Sequence, residues 1–243
     1  METYTPETYG ERSAGEYDNW HPTYNEAAVK TLAELADGGR ALELGIGTGR
    51  IALPLAASGV EVHGIDASHA MIAKLRAKPG GDRVPVTIGN FAEADVAGEF
   101  SLVFVVFNTF FMLLTQDEQV RCFRNIVKHL APGGVFLLEA FVPDLTRFTG
   151  GQANKVTSIT TEQVSLDMSQ HDPVRQHVTS QKVFITDGRI RLFPIQIRYA
   201  WPAELDLMAQ LAGLRLRDRW GGWRREPFTF ESGRHVSVYE RTA

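Results

Sequence analysis

Residues 41–57 read Ala-Leu-Glu-Leu-Gly-Ile-Gly-Thr-Gly-Arg-Ile-Ala-Leu-Pro-Leu-Ala-Ala: a short apolar run, three glycines at alternate positions, then an apolar helical segment. A loop this bare lets a ligand press against the backbone, because a Cβ would clash or forbid the required φ/ψ. The helix start behind it presents free N–H groups and a positive dipole end. The unit commits this part of the chain to an α/β layer fold and points to a nucleotide-like ligand.

At 243 residues the chain has room for one α/β domain with an insertion, or at most two small domains. Its net charge of −4 argues against a phosphate-backbone partner, so no nucleic acid is expected. The last third is rich in arginine, from Arg189 to Arg225, which reads either as a solvated, salt-bridged surface or as a face for an acidic partner. The single cysteine, Cys122, lies in an apolar-periodic stretch and reads as a buried structural thiol. No zinc-ligand spacing exists, so no metal is expected. No signal-peptide pattern and no apolar run of about 20 residues is present, which points to the cytoplasm and away from a membrane.

Periodicity predicts two helices within 5–38, strands at 41–44, 60–65, 84–88, 101–107 and 135–140, and helices from Ser68 and over 117–130. The run 101–107 is apolar almost throughout, as a strand buried on both faces should be. Strands alternating with helices imply a Rossmann-like, doubly wound, mainly parallel sheet whose ligand lies beyond the C-terminal strand ends. After Pro143 the period changes. Segments 155–168, 174–186 and 189–200 read as strands, with Asp187-Gly188 as a hairpin turn. A helix at 202–211 and a strand pair at 214–220 and 235–240 complete the chain. The expected organisation is a helical lid (1–38), a ligand-binding core (39–143), an antiparallel β insertion serving as cap (144–200) and a C-terminal segment completing the core (201–243).

The glycine spacing narrows the ligand. A dinucleotide fingerprint wants G-x-G-x-x-G, and its third place here is Arg50, which would obstruct close helix–strand packing. The spacing of Gly45, Gly47 and Gly49, with Glu43 upstream, resembles motif I of class I S-adenosylmethionine-dependent methyltransferases. Asp66 at the next strand end fits a ribose diol, although NAD enzymes use the same device. The resemblance covers most of 40–142 and implies a seven-stranded sheet and S-adenosylmethionine as cofactor. It implies that Glu43 holds the loop, that the three glycines pass under the methionine and ribose, and that Asp66 binds the ribose with Ala67 and Met71 nearby. Asn90 and Phe91 would flank the adenine, the asparagine replacing the aspartate usual in the family. Phe107 and Asn108 would border the methyl group. Tyr9 and Tyr17 of the lid are candidates for the cofactor's methionine end.

Around this frame the chain resembles bacterial methyltransferases that act on nitrogen or oxygen of amino sugars and other natural products. The expected partner is a small-molecule acceptor, with a homodimer as an option. For the transfer chemistry the candidates are His171, whose ordinary pKa suits proton removal near neutrality, and Tyr24. Two other readings stay open at this point: an NAD(P)-dependent oxidoreductase, and a non-catalytic protein that binds S-adenosylmethionine.

Overall fold

The computed structural model describes residues 4–242; the first three residues of the expected lid and the last residue of the C-terminal segment lie outside the described residues. A central seven-stranded sheet has the order β10-β11-β5-β4-β1-β2-β3. Its strands are β1 (Arg40–Leu44), β2 (Glu61–Asp66), β3 (Val86–Ile88), β4 (Phe100–Val105), β5 (Leu130–Phe141), β10 (Leu214–Trp220) and β11 (Arg234–Arg241). Strands β1 to β5 run parallel, while β11 is antiparallel to both β5 and β10.

Side-chain alternation along the strands builds two cores, one on each face of the sheet. Val103 and Val105 of β4, with Phe136 and Leu138 of β5, join one cluster. Leu102 and Phe104, with Val135 and Leu137, join the other. The first face is covered by α6 (Gln116–His129) and α7 (Pro202–Leu211), and the second by α3 (Glu26–Ala36) and α4 (Ala52–Ala57). Helix starts follow local capping chemistry. Asn25 accepts from Ala27 N and Ala28 N, and Ser68 accepts from Met71 N to open α5 (His69–Arg76). Thr115 and Glu118 form a reciprocal capping box on α6. Cys122 is buried in the first core, and burial pushes its thiol pKa up.

The N-terminal segment forms three helices rather than the two expected: α1 (Thr8–Ser13), α2 (Tyr17–Trp20) and α3. A turn at 14–16 splits the first. The insertion holds four antiparallel strands rather than three: β6 (Gln152–Ile159), β7 (Gln163–Asp172), β8 (His177–Thr186) and β9 (Arg189–Arg198). The run expected at 155–168 breaks at Thr160, whose hydroxyl accepts from Glu162 N and Gln163 N, a turn without glycine or proline. The strand expected at 101–107 ends at Val105, because Phe107 and Asn108 adopt left-handed backbone (φ 56° and 65°). Strand β3 is shorter than expected, and β5 begins before the Pro132-Gly-Gly134 turn.

The lid is fastened to both sheets. Glu11 Oε1 accepts from Ser68 Oγ (2.9 Å) and Ala70 N (3.0 Å) at the start of α5. Asp18 Oδ1 accepts from Thr48 Oγ1 (2.7 Å) and Lys78 Nζ (2.9 Å). Trp20 packs on Phe184 and Phe193 of the cap, and Glu16 pairs with Arg191.

Candidate functional site

A cavity of about 200 Å³ opens at the C-terminal ends of β1, β2 and β4, beneath the lid. Its floor is the glycine loop. At Gly45 an added Cβ would stand 2.4 Å from Thr109 Cγ2, so only glycine lets the strand end pass the turn after β4. Gly47 has φ +55° and open space where a Cβ would project, a cradle that any side chain would occupy. Gly49 is not on the lining; its Cβ position faces Leu53 and Leu75, so it serves helix packing.

Asp66 shapes the loop from the next strand. Its Oδ2 accepts from Gly47 N (2.7 Å) and its Oδ1 from Ser68 N (2.8 Å). Burial raises its pKa, against the pull of these backbone donors. Ala67, Met71, Asn90 and Phe91 line the cavity beside it, and Asn90 Oδ1 accepts from Ala92 N (2.9 Å). Tyr9 and Tyr17 line it from the lid. Burial raises both phenols, and in Tyr17 the charge of Arg50 works against that rise.

Glu43 lies under the loop, fully enclosed, with Oε2 lacking any hydrogen-bond partner among the described residues. Burial drives its pKa well above the ordinary 4.5, and the Arg50 charge opposes this. Arg50 sits with its guanidinium carbon 3.5 Å from the Phe107 ring centroid and donates to Tyr17 Oη at 3.4 Å. Phe107 and Asn108 are not on the lining. Phe107 N donates to Glu139 Oε2 (3.1 Å), Trp223 Nε1 to Glu139 Oε1 (2.9 Å), and Phe141 N to Asn108 Oδ1 (2.7 Å). These bonds hold the left-handed pair in place.

Neither residue expected to serve the transfer chemistry lines this cavity. His171 occupies a separate depression on the cap with Gln152 and His177; its Nε2 bonds Tyr199 Oη (2.9 Å) and its ring stacks on Phe148. Tyr24 is half-exposed beside His21 and Lys78, on the far side of Arg50.

Sequence reasoning missed Tyr4, Met112, Leu113, Leu114 and Glu118, all on the lining. The signal for the last was the Thr115-x-x-Glu118 spacing, which starts a helix just beyond the end of β4. Among the described residues no His, Cys, Asp and Glu cluster is arranged to hold a metal, and no helix is long and apolar enough to cross a membrane.

Residues 41–134 match a family described as a methyltransferase domain. The chain is 33% identical over 208 residues to the cypemycin N-terminal methyltransferase of a Streptomyces species, covering 84% of each chain. It is 30% identical over 123 residues to the dTDP-4-amino-2,3,4,6-tetradeoxy-D-glucose N,N-dimethyltransferase of Saccharopolyspora spinosa, covering 50% of this chain and 48% of that one. The solved CcbJ methyltransferase of Streptomyces caelestis superposes with a TM-score of 0.91 at 41% identity, over 99% of this chain and 100% of that one.

Proposed function

The chain belongs to the S-adenosylmethionine-dependent methyltransferases, and on that premise we propose that it methylates an amino group of a small natural-product molecule. The two remaining sequence readings, an oxidoreductase and a non-catalytic binder, find no support among its relatives. Bound S-adenosylmethionine supplies an electrophilic methyl group on a sulfonium leaving group. The chain's part is to position, enclose and orient.

The observation that carries the choice of nitrogen is the lining. Among the described residues its ionisable side chains are Tyr4, Tyr9, Tyr17, Asp66 and Glu118, with no histidine, lysine or arginine. The tyrosines are raised by burial, so they remain phenols near neutrality and orient by hydrogen bonds rather than by taking protons. A hydroxyl acceptor needs a strong base as it reacts, and the lining offers only carboxylates: Asp66, whose oxygens accept from Gly47 N and Ser68 N, and Glu118. A neutral amine needs chiefly alignment of its lone pair, and alignment alone is worth roughly 7–11 kcal/mol in favourable cases. Two relatives, an N-terminal methyltransferase and an N,N-dimethyltransferase, are nitrogen methyltransferases by name, which supports nitrogen.

In this reading Gly45 and Gly47 carry the methionine and ribose, Asp66 takes the ribose hydroxyls, and Asn90, Phe91, Ala67 and Met71 enclose the adenine. Tyr9 and Tyr17 face the methionine end, and Glu43 stiffens the loop from below. Gly49, Phe107 and Asn108 act by packing, while His171 and Tyr24 take no part. Residues 1–38 are the lid, 39–143 the cofactor core, 144–200 the cap and 201–243 its completion, in a cytoplasmic enzyme. The outer face of the cap carries exposed Met168, Ile185, Ile190 and Leu192, which supports pairing of two copies through this sheet.

The test is methyl transfer from S-adenosylmethionine to paired acceptors: amino sugars and peptide N-termini against their hydroxyl counterparts. Products are read by mass and S-adenosylhomocysteine release. Methylated amines are expected; methylation of the hydroxyl partners alone would sink the reading. Sedimentation at micromolar concentration reads the dimer, and a monomer there removes that part.

A further inference from the structure

The wall of the cavity on the β4 side of the glycine loop is built from Met112, Leu113, Leu114 and Glu118, between the end of β4 and the first turn of α6. It is apolar except for one carboxylate. Glu118 Oε2 accepts from Thr115 N (2.9 Å) and Thr115 Oγ1 (2.9 Å), which pins the side chain to the helix cap. Its Oε1 makes no hydrogen bond among the described residues, and no cation shares the lining. Asp66, the other carboxylate of the cavity, has each oxygen engaged by a backbone N–H, one from Gly47 of the glycine loop and one from Ser68 after β2.

The wall is held from outside by a buried polar network. Gln119 Nε2 donates to Leu113 O (3.2 Å) and Arg198 O (2.8 Å), and His177 Nε2 lies 2.6 Å from Leu114 O. Arg198 donates to Gln119 Oε1 (2.5 Å), Gln176 Oε1 (3.0 Å) and Glu204 Oε1 (2.6 Å). The cap and two helices thus fix the segment that carries Glu118, leaving a preorganised, partly solvent-exposed carboxylate oxygen beside apolar side chains.

We propose that Glu118 is the acceptor-specificity residue of this enzyme: its free oxygen receives an N–H of a basic amine acceptor, which enters as the ammonium and gives one proton to solvent before its neutral nitrogen attacks the methyl group, so that ammonium-bearing molecules are selected over neutral or acidic ones of the same shape. This rests on the amine reading above and narrows it to basic acceptors. A charge-assisted hydrogen bond is roughly twice as strong as a neutral one, and the match of charges rejects carboxylate-bearing analogues.

The experiment uses the full chain saturated with S-adenosylhomocysteine and three isosteric probes: 3-methylbutylammonium, 3-methylbutanol and 3-methylbutanoate. Binding is read by ligand-observed nuclear magnetic resonance. Wild type is expected to favour the ammonium over the alcohol by about tenfold. Glu118→Gln preserves the capping box, since glutamine serves at that position, and removes the charge. It is expected to abolish the preference while leaving the S-adenosylhomocysteine dissociation constant and melting temperature unchanged. With any amine that wild type methylates, the variant should raise KM by about tenfold with kcat little altered. The inference is overturned if wild type shows no ammonium preference, if the variant keeps it, or if the variant chiefly weakens S-adenosylhomocysteine, which would place Glu118 on the cofactor. These outcomes are separate from the nitrogen reading, which fails only if wild type methylates hydroxyls and not amines.

Discussion

The guanidinium of Arg50 lies 3.5 Å over the ring of Phe107, joining the residue that ends the glycine loop to the turn that ends β4. The same guanidinium donates to Tyr17 of the lid, so three segments of the site meet on one cation. A desolvated cation–π contact is worth about 2 kcal/mol. Arg50→Leu should cost about that much stability in urea denaturation and loosen Tyr17. The check is S-adenosylhomocysteine affinity by calorimetry, expected to fall; unchanged affinity would show that the lid holds without this contact.

The same cation bears on Glu43. Burial raises the folded carboxyl above its ordinary 4.5, with Arg50 opposing. The folded state therefore binds the proton more tightly than the unfolded chain. Stability from this group is fully present below about pH 4.5 and is lost as pH rises through the higher folded value. Stability of wild type relative to Glu43→Gln should fall steadily from pH 4.5 upward, read by denaturant melts at several pH values. A flat difference would remove Glu43 as a buried, strained carboxyl.

Gly47→Val forces a β-branched residue to φ +55° and fills the cradle. Asp66→Ala leaves Gly47 N and Ser68 N without their acceptor. Each should weaken S-adenosylhomocysteine by about tenfold or more, with a folded far-ultraviolet spectrum. Near-native affinity in both variants would displace the cofactor from this loop.

His171→Ala and Tyr24→Phe should leave kcat/KM within about twofold of wild type, since neither side chain lines the cavity. The histidine variant loses the Tyr199 bond and the Phe148 stack, so its melting temperature should drop. A collapse in kcat with normal stability would restore His171 to the chemistry.

Arg198→Met strips a buried network of its cation and leaves Gln119 Oε1 and Gln176 Oε1 without a donor and Glu204 without its ion-pair partner. Removing one partner of such a pair costs about 3 kcal/mol or more. Pairing it with Glu204→Leu should recover part of that loss in a double-mutant cycle; strict additivity would mean the two do not communicate.

The frame of the fold was readable because its signals are local. Apolar runs bounded by glycine, the Ser68 cap and the Asp187-Gly188 hairpin all act within a few residues of their effects. The Rossmann-like core, the antiparallel insertion and the methyltransferase family follow from those runs and from the Gly45, Gly47 and Gly49 spacing. The break at Thr160 escaped because a hydroxyl turn leaves no glycine or proline behind. Arg50 was legible only as a misfit to the dinucleotide pattern; its use became visible when Phe107, 57 positions later by number, arrived beneath it. The wall at Met112–Leu114 has no period of its own, and its place in the site is decided by Gln119 and Arg198 from other elements.

Asp18 grips the site's floor directly, because Thr48 belongs to the glycine loop itself and Lys78 donates to both Asp18 and the Thr48 carbonyl. Opening the lid therefore breaks an ion pair and releases the loop in one movement.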